Sequence, residues 1–210
     1  MTTDAASQFS NGDVAPFVSG REAQVEAALG RLAPAYGDRQ VAYSQEGEDL
    51  IVRRLLAGRR DGFYVDIGAH HPTRFSNTYL LYCDGWHGLN VDASAELVAH
   101  IAKARPRDTS VCCLVASGDG ERTFHVFDEQ ALNTASPEAA ATLAATDAAY
   151  RVVERRQLRT RSLAALLGDH LPAGQAIDLL NIDVEGVEEE VLASNDWTLY
   201  RPELVLLAQR

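Results

Sequence analysis

Acids and histidines gather where short apolar runs end. The run Gly62-Phe-Tyr-Val-Asp-Ile-Gly-Ala-His-His71 closes on Asp66, Gly68, Ala69 and two histidines before Pro72. A second run, Gly88-Leu-Asn-Val-Asp92, also ends in an acid, 26 residues after Asp66. A third, Ile177-Asp-Leu-Leu-Asn-Ile182, runs into Asp183-Val-Glu185-Gly186. Each type suits a different task. Histidine takes a proton near neutral pH. A carboxylate at a strand end accepts hydrogen bonds from ribose hydroxyls, and two carboxylates in one short motif could hold a divalent cation such as Mg²⁺ through oxygen.

Positioning these groups requires a parallel sheet, because open α/β sheets bind ligands at the carboxyl ends of their strands. Gly68 would let the backbone pass close to a ligand where a Cβ would collide. A dinucleotide turn needs Gly-x-Gly-x-x-Gly, but after Gly68 the chain reads Ala69-His70-His71-Pro72-Thr73. No Gly-Lys-Ser/Thr phosphate loop occurs either. The pocket therefore suits a nucleoside without a phosphate bridge, and S-adenosylmethionine is the common cofactor of that description. Asp66, Gly68 and Ala69 form the expected cofactor turn. The spacing to Asp92 fits one βαβ step and assigns that acid to the ribose, although Asp92 and Ser94 would also cap the next helix.

A further strand, Ser110–Ala116, is expected to end at Ser117 beside the adenine. Asp183 and Glu185 alternate with Val184 and would share one side of an extended chain. Their other reading is helix capping. Thr123–Phe127 reads as a strand in which His125 is a satisfied strand residue. The Ala-rich segment Leu132–Ala149 interrupts the βα alternation and is either a lid over substrate or a surface helix. The arginine-rich stretch Arg151–Arg161 reads as an exposed strand face. Trp86 and Trp197 read as packing residues.

Five motifs then occur in order: Ser44-Gln-Glu-Gly-Glu-Asp49, Val65-Asp-Ile-Gly-Ala-His70, Ser76-Asn-Thr78, Gly85-Trp-His-Gly88 and Asn181-Ile-Asp-Val-Glu-Gly186. Across residues 41 to 208 the chain resembles the FkbM-type S-adenosylmethionine-dependent methyltransferases. The resemblance implies a doubly wound, Rossmann-like fold of the class I methyltransferases and methylation of hydroxyl oxygens, on sugars or polyketide-derived scaffolds. It implies that Ser44 and Gln45 close over the methionine end of the cofactor, although they could simply cap a helix. It also places Asn77 at the cofactor. Members that carry Glu-Pro after the second strand contrast with Asp92-Ala93 here; the carboxylate is kept. The nearest relatives are expected among stand-alone sugar methyltransferases such as those of methylmannose polysaccharides.

Composition bounds the rest. The 210 residues carry a net charge of −11 and 46% hydrophobic residues, enough for one domain with a core. A phosphate backbone would be repelled, so nucleic acid is not the expected partner; the same charge argues against an anionic membrane surface. No apolar run is long enough to span a bilayer. Cys83, Cys112 and Cys113 lack metal spacing and read as free thiols in a reducing, cytoplasmic setting. Residues 1–20 read as a flexible lead and 21–210 as one methyltransferase domain, with a helix over 21–33 and another over 47–57. A C-terminal antiparallel hairpin is not evident after Glu203–Leu207. The resulting sheet edge would be covered by the N-terminal extension or by a second subunit, and a homodimer is expected.

The expected reaction is transfer of a methyl group to a sugar or polysaccharide hydroxyl. His70 and then His71 are the candidate bases, and Asp183 would orient the base or take the proton. The alternatives are a non-sugar small-molecule acceptor, a nucleotide-dependent oxidoreductase and a non-catalytic cofactor-binding module.

Overall fold

A computed structural model of the chain describes residues 40–56, 59–146 and 149–208. The lead over 1–20 and the helix over 21–33 lie outside the described residues. Backbone contacts divide the chain into Met1–Val41 and Ala42–Arg210, and the elements below belong to the second unit. In chain order they are α1 (Glu48–Leu55), β1 (Phe63–Ile67), α2 (Tyr79–Cys83), β2 (His87–Asp92), α3 (Ala95–Ala104), β3 (Thr109–Cys112), β4 (Leu114–Val115), β5 (Gly120–Phe127), α4 (Pro137–Thr146), β6 (Val152–Arg161), α5 (Leu163–His170), β7 (Leu179–Ile182), α6 (Glu188–Ala193) and β8 (Leu204–Leu207).

Five strands form a parallel sheet in the order β3-β2-β1-β7-β8, and β8 is one edge. This is the Rossmann-like order, with β1 and β7 meeting at the switch point. All of β1 is buried, as expected for a parallel strand covered on both faces. Alternation along the strands sorts the side chains. Phe63, Val65, Ile67, Leu89, Val91, Leu180 and Ile182 form the larger core with Leu163, Leu166 and Leu167 of α5. Each of those three leucines gains about 1.5–3 kcal/mol by leaving water. The other face packs Tyr64 and Leu179 against Val52, Leu56, Leu81 and Trp86.

α1 ends at Leu55, and its buried face is Asp49 and Val52, continued by Leu56. Ile51 and Leu55, although apolar, are 60% and 66% exposed. The indole of Trp86 covers Gly62, where a Cβ would lie 2.4 Å from the ring. Trp197, in contrast, is 40% exposed and not a core residue.

The strand expected over Ser110–Ala116 is two strands. The Cys113 N–H donates to the Asp92 carbonyl at 2.9 Å, and the chain then leaves the parallel sheet. Leu114 and Val115 pair instead with β6 in a second sheet of order β4-β6-β5. β5 and β6 are antiparallel, with α4 between them in sequence. The arginine-rich β6 is exposed along most of its length, as expected. All three cysteines are free thiols; Cys113 packs against the larger core, while Cys112 is exposed rather than packed.

Candidate active site

The carboxyl ends of β1, β2 and β7 and the exit from β3 converge on one cavity of about 70 Å³. β1 contributes Gly68 and His70, β2 contributes Asp92, the β3 exit contributes Cys113–Val115, and β7 contributes Asp183–Glu185. The segment between β5 and α4 closes the far wall through Gln130, Ala131, Asn133 and Ala135. A wider cleft of about 1150 Å³ adjoins it and shares Ala135, Asp183, Glu185 and Val187 with it. Seven acidic side chains line that cleft, against Arg122, which is itself bonded to Glu190 at 2.7 and 2.8 Å.

Gly68 sits at φ 83°. A Cβ there would lie 1.8 Å from the Asp183 carbonyl oxygen. The glycine thus brings the β1 turn against the backbone leaving β7. The collision it avoids is with the protein itself.

His70 follows at φ 51°, a left-handed conformation that non-glycine residues seldom adopt. Its N–H donates to Asp92 Oδ2 at 2.9 Å. Both ring nitrogens are buried and have no hydrogen-bond partner among the described residues. Burial, with help from Arg74 and His71, lowers the imidazole pKa to about 4. The ring is therefore neutral at physiological pH, with a lone pair available. Asp92 is 9% exposed and also accepts the Ser94 N–H, through Oδ1 at 2.7 Å. Burial raises its pKa to about 6, against the pull of those two N–H groups. Each oxygen keeps accepting capacity for a further donor.

A family profile for the methyltransferase FkbM domain matches residues 66–209. The chain belongs to the FkbM methyltransferase family. No curated protein and no solved structure is detectably similar to it.

The motifs of this FkbM-domain methyltransferase divide into those that line the cavity and those that brace it. Gly68, His70, Asp92, Asp183 and Gln45 line it. Asp66 does not. Its carboxylate is buried on the opposite side of β1 from Val65 and Ile67, accepting from the Thr78 hydroxyl at 2.5 Å and Asn181 at 2.8 Å. Burial raises its pKa, opposed by those two donors and by Arg105. Asn77, expected at the cofactor, donates to Asn181 Oδ1 at 3.1 Å. Three family motifs thus meet because Asp66, Asn77–Thr78 and Asn181 hydrogen-bond one another. Ala69 is buried outside the lining. Ser44 donates to Asp49 Oδ1 at 2.8 Å and fastens the start of α1. Ser117 is exposed, its N–H on Glu190, because the break at Cys113 carries the chain away from the parallel sheet.

His71 is a brace as well: its Nδ1 accepts the N–H groups of Thr73 and Arg74 at 3.1 and 2.9 Å. His125 lines neither opening, and its Nδ1 lacks a hydrogen-bond partner among the described residues, so it is not the satisfied strand residue expected. The expected extended pair of carboxylates fails too. β7 ends at Ile182 and the backbone turns at Glu185, φ 55°. Among the described residues no group of three or more His, Cys, Asp and Glu could hold a metal ion. The Mg²⁺ site expected at Asp183 and Glu185 finds no support in a third such ligand among the described residues. The Leu132–Ala149 segment gives residues to both openings, through Asn133, Ala135 and the first turns of α4, which favours a wall over substrate rather than a detached surface helix.

One residue escaped the sequence reading. Arg105, the C-cap of α3, is 1% exposed and bonded to Pro72, Ser76, Thr78 and Asn90. Lying in Ala104-Arg-Pro-Arg-Asp108, it looks like part of a solvated turn. No spacing signals that the loop over residues 72–78 and the strand residue Asn90 close over it.

Proposed function

We propose that this protein is an S-adenosylmethionine-dependent oxygen methyltransferase acting on a neutral, hydroxyl-rich acceptor of the sugar or oligosaccharide class. The observation that carries the reading is His70: a neutral imidazole whose two nitrogens have no hydrogen-bond partner among the described residues, on the wall of a cavity formed by four strand ends.

The residues present fit the cofactor. Asp92 offers a carboxylate for the ribose hydroxyls. Leu97, Leu114, Val115 and Phe124 give apolar walls for an aromatic base. Ligand pockets usually enclose about 300–1,000 Å³. The 70 Å³ cavity is smaller, so admitting the cofactor requires the far wall or the His70–Phe75 loop to yield. When bound, the sulfonium supplies an electrophilic methyl group.

The protein's part is positioning and proton removal. The shared lining at Asp183 and Glu185 puts the acceptor cleft beside the cofactor cavity, which supports in-line alignment of a hydroxyl. His70 would take the proton of an acceptor hydroxyl aligned with that methyl group. A general base of this kind contributes ~10²–10⁴-fold. Asp183, on both linings, steadies the resulting imidazolium. The acidic cleft repels phosphorylated acceptors and tolerates neutral ones, which supports a glycan over an anionic metabolite.

Turnover of methyl-labelled S-adenosylmethionine across a panel of neutral, amino and phosphorylated oligosaccharides tests this, with and without chelator. Label on a neutral or amino sugar oxygen supports the reading. Label only on phosphorylated or non-sugar acceptors contradicts it.

A further inference from the structure

Arg105 is held in a way its exposure alone does not explain. A guanidinium has five N–H donors, and here all five have acceptors. Nε and Nη2 both reach the Pro72 carbonyl, the first at 2.8 Å. Nη2 also donates to Ser76 Oγ at 2.6 Å. Nη1 donates to Thr78 Oγ1 at 2.9 Å and Asn90 Oδ1 at 3.2 Å. The tyrosine rings of Tyr79 and Tyr82 lie 5.2 and 5.9 Å from its central carbon. Thr78 in turn donates to Asp66, so a buried cation and a buried carboxylate sit one hydroxyl apart.

The two loop contacts bracket a strained segment. Pro72 and Ser76 lie on either side of Phe75, and His70 precedes them. His70 and Phe75 both hold positive φ, 51° and 57°. Each such non-glycine residue costs on the order of 1–3 kcal/mol and persists only where its surroundings over-determine it. Both residues line the cavity. An apolar side chain could fill this space without the desolvation cost of a cation, and such replacements of buried charges are often neutral or stabilising. What an apolar side chain could not do is grip Pro72 and Ser76 with one planar fork.

We propose that Arg105 is a positioning residue for the reaction: it clamps the loop from His70 to Ser76 onto β2 and the start of α2, and so keeps the His70 ring facing the cavity without a partner. The proposal rests on the role given to His70 above. Lysine carries the charge but not the fork, so Arg105→Lys separates the two.

The test compares the wild type, Arg105→Lys and Ser76→Ala as full-length chains. Each is checked by cooperative thermal melting, by calorimetric binding of S-adenosylhomocysteine, and by NMR titration of the His70 ring, assigned with His70→Ala. In folded Arg105→Lys the His70 midpoint should rise from about 4 toward the ordinary value. Turnover should fall at least tenfold, with product affinity changed less than threefold. Ser76→Ala, which removes one bond of the clamp, should move the midpoint the same way by less, and it serves if Arg105→Lys does not fold. A folded variant with an unmoved His70 midpoint overturns the proposal. A wild-type His70 that already titrates near 6.5 likewise overturns it, since no buried ring would then be held for Arg105 to position; a fully active His70→Ala overturns the catalytic reading instead.

Discussion

The Asp92 carboxylate accepts the backbone N–H of His70 at 2.9 Å, so the end of β2 fixes the residue that follows the β1 turn. Two strand ends are joined in one bond, and the acid assigned to the ribose also sets the backbone of the residue assigned as base. Weakening one should disturb the other, and each can be probed separately.

Asp92→Asn should bind S-adenosylhomocysteine roughly 10–100-fold more weakly than wild type, since a hydrogen bond to a charged group contributes ~1.5–3 kcal/mol. The same carboxylate gives a pH dependence. With its pKa raised to about 6, Asp92 is ionised above that pH and protonated below it. Affinity should fall as pH drops through 6, by up to about tenfold per unit, and the Asn variant should lack this step. Calorimetry at pH 5, 6 and 7.5 measures both.

His70→Ala should lower turnover ~10²–10⁴-fold while product affinity changes less than threefold. The ring nitrogens make no hydrogen bonds to the described residues, so none of their donors or acceptors is orphaned by its removal. The folded pKa, about 4, lies below the unfolded value of about 6.5, so the unfolded chain binds the proton more tightly. The wild type should therefore lose stability relative to His70→Ala as pH falls from 6.5 toward 4, and the two should run parallel above 6.5. Chemical denaturation across that range shows it.

Gly68→Ala should be among the most damaging single-methyl additions in the chain. The new Cβ would lie 1.8 Å from the Asp183 carbonyl, on a backbone at φ 83°. A loss of about 3 kcal/mol or more would lower the melting temperature by roughly 6–12 °C. Gly118→Ala is the control: its Cβ would meet nothing within 4 Å, and melting should hardly move.

The sheet was legible because its three central strands, β1, β2 and β7, are buried on both faces. Runs such as Phe63–Ile67 and Leu179–Ile182 are near-continuously apolar, and the acids at their ends mark where they stop. The break at Cys113 was not legible, since Val111 to Ala116 is apolar throughout and which sheet each residue joins depends on distant β6. The site was legible in part. Gly68, His70, Asp92 and Asp183 were read as pocket residues and line the cavity. Asp66 and Asn77 were misread, because a motif shows that residues act together and not whether they face ligand or one another. Arg105 could not be found by pattern, since its partners are four residues drawn from the 72–78 loop and from β2, 15 to 33 positions earlier in the chain.

The most direct measurement is titration calorimetry of the full chain with S-adenosylhomocysteine at pH 7.5, with Asp92→Asn alongside. Saturable one-to-one binding by the wild type, clearly weakened in the variant, is the predicted result. No heat of binding from a folded wild type, or equal affinity in both proteins, would contradict the adenosyl pocket at these strand ends.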